Sequence, residues 1–125
     1  MRIGLFLLFV SFMTVSISPN DRFITHVTLT TYNAVKSQCD DNPNVTANGT
    51  IIDRKKLKKG ELKYCAISRD LLWCIPMGSI IEIDGHGRYA VVDKMNARFN
   101  HCIDILQHHT EKNFKKENVK VVLIE

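Results

Sequence analysis

The chain carries no strong charge excess. Seventeen Lys and Arg against thirteen Asp and Glu leave +4 over 125 residues, too weak an imbalance to point to nucleic acid and mild enough to suit an anionic polymer such as a cell wall. No apolar run is long enough to span a bilayer comfortably: the longest, Ile3 to Met13, is interrupted by Gly4 and Ser11. Internal repeats and a linker are absent, so the length leaves room for one domain with a modest core. The composition, 45% hydrophobic and 24% charged, excludes a disordered chain.

The N-terminal apolar run does have a basic start, Met1-Arg2, and small residues after it at Thr14, Ser16 and Ser18. That three-part layout is a secretory signal peptide, here residues 1–18, with the domain proper at 19–125. No cysteine stands near the cut, so no lipid anchor is indicated, and the mature protein is expected to be secreted or periplasmic with no stable membrane anchor. In an oxidising compartment the four cysteines, Cys39, Cys65, Cys74 and Cys102, suggest one or two disulfides. Three pairings are possible; Cys65 with Cys102 is favoured because each lies on a strand-like run near an aspartate.

Alternation of apolar and β-branched residues with polar ones predicts six strands: Phe23–Tyr32, Tyr64–Ser68, Ser79–Ile83, Arg88–Val92, Cys102–Leu106 and Val119–Ile124. Asp84-Gly85-His86-Gly87 reads as a hairpin turn. Residues 33–50 read as a polar loop and Arg54–Gly60 as a basic turn, while Thr110–Asn118, with Thr110 as cap, reads as the one short helix. Six short strands with tight turns favour a small closed barrel, which leaves no exposed edge.

Three aspartates stand in or beside these apolar runs. Asp70 follows Tyr64–Arg69, Asp93 closes Tyr89–Val92, and Asp104 sits inside Cys102–Leu106. A carboxylate among apolar residues on a strand loses solvation unless something compensates it. Carboxylates that crowd together push one pKa upward, which makes a general acid available near neutral pH. The competing explanation is that each acid caps a turn, and it weighs most for Asp70. His101, Cys102, Asp104, His108 and His109 match no tight zinc spacing, and no metal or other cofactor is expected. Trp73, the single tryptophan, lies close to Asp70 and offers a face for a sugar ring or for the core. Asn44-Val45-Thr46 and Asn48-Gly49-Thr50 match glycosylation sequons.

The segments Ala66–Asp70, Ile75–Ile83, Gly85–Asp93 and Ile103-Asp104, preceded by Thr46-Ala47-Asn48-Gly49-Thr50, together resemble the 3D domain, a family named for three aspartates. That family is similar to the double-psi β-barrel of membrane-bound lytic transglycosylase A and of stationary-phase survival proteins. The resemblance implies a mainly β, six-stranded double-psi barrel over roughly residues 25–124. It implies a lytic transglycosylase that cuts the bond between N-acetylmuramic acid and N-acetylglucosamine in peptidoglycan. In that reading Asp104 is the acid and base, with Asp93 and Asp70 as its neighbours, and Thr46, Gly49, Trp73 and Lys94 lie toward the substrate. The chain departs from the pattern after Asp93, where Lys94–His101 contains none of the family's glycines. The alternative implied by that departure is a non-catalytic peptidoglycan-binding or wall-assembly module on the same barrel.

Overall fold

A computed structural model of the chain describes residues 22–33 and 45–125. The expected signal peptide (1–18), Cys39 and most of the 33–50 loop lie outside the described residues. Among those described, no helix is long and apolar enough to cross a membrane.

Six strands form: β1 (Ile24–Asn33), β2 (Tyr64–Ile67), β3 (Ile80–Ile83), β4 (Gly87–Lys94), β5 (Cys102–Gln107) and β6 (Lys115–Leu123). They close in the order β1-β5-β2-β4-β3-β6. Four contacts are antiparallel, and two, β1 with β5 and β2 with β4, are parallel. This is the mainly β, closed six-stranded mixed barrel expected from the sequence. Closure gives every strand two neighbours and removes the edges that would otherwise template aggregation.

Alternation decides what goes inside. Val27 and Leu29 of β1, Cys65 and Ile67 of β2, Ile81 and Ile83 of β3, Val91 of β4, Ile103 and Ile105 of β5, and Val121 of β6 point inward and form one core. A second, smaller cluster lies on the outside of the barrel. Ile52 and Leu57 pack there on Leu106, with Tyr32, Leu62 and Tyr64 around them. The segment from residue 45 to 62 thus covers the outer face of β1, β5 and β2, and it bears on the candidate site.

Two local expectations are corrected. The helix is not at Thr110–Asn118: β6 begins at Lys115 within that stretch. Pairing of β6 with both β1 and β3 closes the barrel, and that overrides the polar, helix-compatible composition of the segment. The register shift between Val27 and Leu29 is absorbed beside Asn118, whose φ of 58° is a left-handed conformation that asparagine tolerates better than most residues. The short helix is instead α1 (Arg54–Lys58), in the segment expected to be a basic turn. Asp53 caps it, its Oδ1 accepting from the amides of Lys55 (3.0 Å) and Lys56 (3.2 Å). Leu57 supplies the buried anchor, and the lysines of the last turn suit the negative end of the helix dipole.

The favoured Cys65–Cys102 pair is also corrected: among the described residues, which do not include Cys39, Cys65, Cys74 and Cys102 are free thiols. Cys65 lies opposite Ile105 and points into the core, whereas Cys102, three residues before Ile105, has the opposite parity on β5 and faces outward. The favoured Cys65–Cys102 pair therefore has its two side chains on opposite faces of the sheet. The Cys74 thiol donates to the Leu71 carbonyl (3.3 Å) and the Cys102 thiol to that of Asn100 (3.0 Å).

Candidate functional site

The register places four side chains in one row across the outer face. Thr30 of β1 lies opposite Asp104 of β5, Asp104 opposite Ala66 of β2, and Ala66 opposite Asp93 of β4. Directly opposed residues present their side chains on the same face. At the usual strand spacing, the two aspartate Cα atoms stand roughly 10 Å apart with only the Ala66 methyl between them. The register shift between Cys65 and Ala66 aligns Asp93 rather than Val92 with Ala66. A bulge re-aims a side chain in this manner.

Asp104 is half-buried, and Thr30 donates its hydroxyl to Oδ1 at 2.6 Å. Its other oxygen has no hydrogen-bond partner among the described residues and is not sealed from solvent. Burial pushes the carboxyl above the ordinary aspartate range, the Thr30 hydrogen bond pulls it back in part, and the charge of Asp93 pushes it up again. The result is a carboxyl group with a raised proton affinity and one oxygen open to a ligand.

Asp93 is held differently. Its Oδ1 accepts from the Ala47 amide (2.9 Å) and from the Lys94 amide (3.0 Å), and Tyr32 Oη lies 3.5 Å from Oδ2. The Ala47 amide comes from a tight loop built on its own polar residues. Thr46, only 5% exposed, and Thr50 both donate their hydroxyls to Asn48 Oδ1 at 2.7 Å. The Thr46 carbonyl accepts from the Gly49 amide at 3.0 Å, and Gly49 takes φ 86°, a conformation that favours glycine. The Asn48 amide reaches the Val92 carbonyl at 3.2 Å, which fixes the loop against β4. The Thr46–Thr50 segment thus serves the site by positioning an acid.

Asp70 is not part of this row. It sits in the 3-10 turn Arg69–Leu71 beyond the end of β2, and its carboxylate accepts from the His101 amide (3.0 and 3.2 Å) and lies 3.1 Å from His101 Nδ1. Burial alone would raise its pKa, but hydrogen bonds from the Ser68 hydroxyl and the His101 amide, with the charge of His101, outweigh that and leave it below the ordinary range. His101 has φ 51°, so Asp70 stabilises a left-handed residue immediately before β5. Trp73 is 84% exposed on the loop after that turn. Lys94 is exposed, and its contact with Asp93 is made by its backbone amide.

Of the residues singled out in the sequence, Asp93, Asp104, Thr46 and Gly49 therefore come together, whereas Asp70 and Trp73 belong to the end of the barrel. Thr30, Tyr32, Ala47 and Ala66 were not anticipated. The alternation of β1 puts Thr28, Thr30 and Tyr32 on one face, but only the parallel register with β5 shows which acid Thr30 meets.

No family model matches this chain, and no curated protein does. Among solved structures, the Streptomyces papain inhibitor shares the fold, with a TM-score of 0.54 and 18% sequence identity, over 82% of this chain and 96% of that chain. At that identity the likeness speaks to the fold alone.

Proposed function

We propose that this protein is an acid/base enzyme of cell-wall glycan, a lytic transglycosylase with Asp104 as its catalytic group. The observation that carries this reading is the row Thr30–Asp104–Ala66–Asp93: a carboxyl group with raised proton affinity, one open oxygen, and a second acid on the far side of the buried Ala66. The sequence resemblance to the 3D domain supplies the substrate class.

Protonated Asp104 donates its proton to the glycosidic oxygen as the bond to the anomeric carbon breaks. The resulting carboxylate accepts the proton of the same sugar's 6-hydroxyl, whose oxygen closes on that carbon. Water is not consumed, and the product ends in a 1,6-anhydro sugar. One carboxyl group therefore serves in two directions, where hydrolysis uses two. Asp93, fixed as a hydrogen-bonded acceptor, stabilises positive charge on the sugar ring in the transition state. Digestion of purified peptidoglycan, with products analysed by mass spectrometry, tests the reading. Anhydro-muropeptides support it; reducing-end products indicate a hydrolase instead.

A second reading, a non-catalytic binding protein, is favoured by two observations. Lys94–His101 carries none of the glycines that would let a sugar approach closely, and a barrel of the same fold belongs to a protein named as a papain inhibitor. Co-sedimentation with peptidoglycan without release of fragments supports a wall-binding module, and inhibition of papain supports a protease ligand.

A further inference from the structure

The net charge of the chain is not spread evenly. Residues 53–63 hold six of its seventeen basic residues and two of its thirteen acidic ones, so this segment alone carries +4 and the remainder is neutral. Five of the six cations fall in α1 and its C-cap: Arg54, Lys55, Lys56, Lys58 and Lys59. All five are exposed, and only Leu57 among them is buried. At about 100° per residue, a Leu57 that faces the barrel turns Lys55 and Lys59 outward, with Arg54, Lys56 and Lys58 on their flanks. Lys55, Lys56, Lys58 and Lys59 take part in no ion pair among the described residues. Of the segment's two acids, Asp53 is engaged as the helix cap and Glu61 lies beyond the helix.

The helix does not need this charge to form, because Asp53 caps it and Leu57 docks it. The macrodipole favours lysines at the C-terminal end but opposes Arg54 at the first position, and no acid stands in the first turn. Arg54 with Lys58, and Lys55 with Lys59, are like charges four residues apart, which weakens a helix further. A bound polyanion relieves that repulsion. The position of α1 also matters. Leu57 packs on Leu106, two residues beyond Asp104 on the same outer face of β5, about 7 Å along the strand. Tyr32, opposite Leu106 in the register, joins the same cluster and reaches Asp93. The basic helix therefore borders the aspartate row along the strand direction. Four of its five cations are lysines, point charges without the arginine fork, and these suit a chain with a full charge on every repeat better than a planar carboxylate. A lipid surface fits less well: an interfacial helix turns apolar residues outward, and α1 turns its only one, Leu57, inward.

We propose that α1 with Lys59 is a docking surface for a phosphodiester polymer of the cell wall, a linear chain with one phosphate per repeat. The choice of partner rests on the cell-wall reading, but the surface uses neither Asp104 nor Asp93. A chain held on α1 lies alongside the aspartate row and keeps the barrel on the wall, next to its glycan substrate. The lysines act through charge, so salt weakens the complex.

The test titrates poly(glycerol phosphate) into the native protein and follows backbone amide resonances by NMR. Shifts are expected to concentrate in residues 54–59, and raising the salt from about 50 to about 200 mM is expected to weaken binding roughly tenfold or more. K55Q/K56Q/K58Q/K59Q removes four exposed cations and is expected to bind about tenfold more weakly or worse, with a thermal midpoint close to native. R98Q/K112Q/K116Q/K120Q lowers the net charge equally at exposed positions outside the segment and is expected to bind close to native. Asp104→Asn is expected to bind as the native protein does whether or not the native protein cuts glycan, so the two readings fail separately. The proposal is overturned if the polymer does not bind, if the two quadruple variants lose affinity equally, or if vesicles containing phosphatidylglycerol bind to α1 and the polymer does not.

Discussion

The state of Asp104 is set by three influences: its burial, the Thr30 hydroxyl and the Asp93 charge. The Thr30 hydroxyl favours the ionised form, whereas burial and the Asp93 charge favour the protonated one. Carbon-detected NMR titration of the aspartate carboxyls is expected to place Asp104 above the ordinary aspartate value. It moves down in Asp93→Asn, which removes the repelling charge, and further up in Thr30→Val, which removes the donor. In the proposed reaction Asp104 starts protonated, so the alkaline limb of the pH–rate profile is expected to shift in the same directions. Asp70 has the opposite sign. Its folded-state pKa is lowered, so its contribution to stability is present above its unfolded value and lost as the pH falls through the folded one. Urea denaturation of Asp70→Asn is expected to show a loss of about 1 kcal/mol at pH 7 and a shallower acid dependence than the native protein. For Asp104, raised on folding, ionisation works against the fold, and Asp104→Asn is expected to be no less stable than native at neutral pH.

Among the elements, β6 depends on one unusual residue. Asn118 takes φ 58° where the β1–β6 register shifts. Asn118→Val places a β-branched residue there and is expected to cost roughly 1–2 kcal/mol in thermal or chemical denaturation. Asn118→Gly, free of that clash, stays close to native. The same residue shows what the sequence conceals. Alternation exposed the six strands to within a few residues, because each has one face on the core. The start of β6 was hidden: residues 115–118 are exposed and polar, and only closure against β1 and β3 makes them a strand. Helix α1 was hidden for the converse reason. Its basic composition resembles a solvated turn, and Leu57, packed on Leu106 from a distant strand, is what docks it. At the site, the acids themselves were legible as carboxylates in apolar runs. Asp93 was expected beside Asp104, but the residues that join the row were not legible, because Thr30 and Ala66 meet Asp104 through parallel and antiparallel pairings across 74 and 38 residues of sequence.

For the molecule as a whole, the barrel encloses one core without help from a Cys65–Cys102 bridge. Proteolysis without reduction, followed by mass spectrometry, is expected to yield no peptide linking those two cysteines. Cys65, buried, with its thiol pushed well above the ordinary range by burial and then by the charge of Asp104, resists alkylation until the barrel unfolds. The row of Thr30, Asp104, Ala66 and Asp93 lies on an outer face beside the Thr46–Thr50 loop. The most direct measurement compares native protein and Asp104→Asn on the same purified peptidoglycan, with soluble 1,6-anhydro-muropeptides quantified by mass spectrometry. The native protein is expected to release them and the variant to release about 10²–10⁴-fold less while remaining folded. Absence of anhydro products from the native protein, or equal release by the variant, would contradict the assignment of Asp104 as the acid and base.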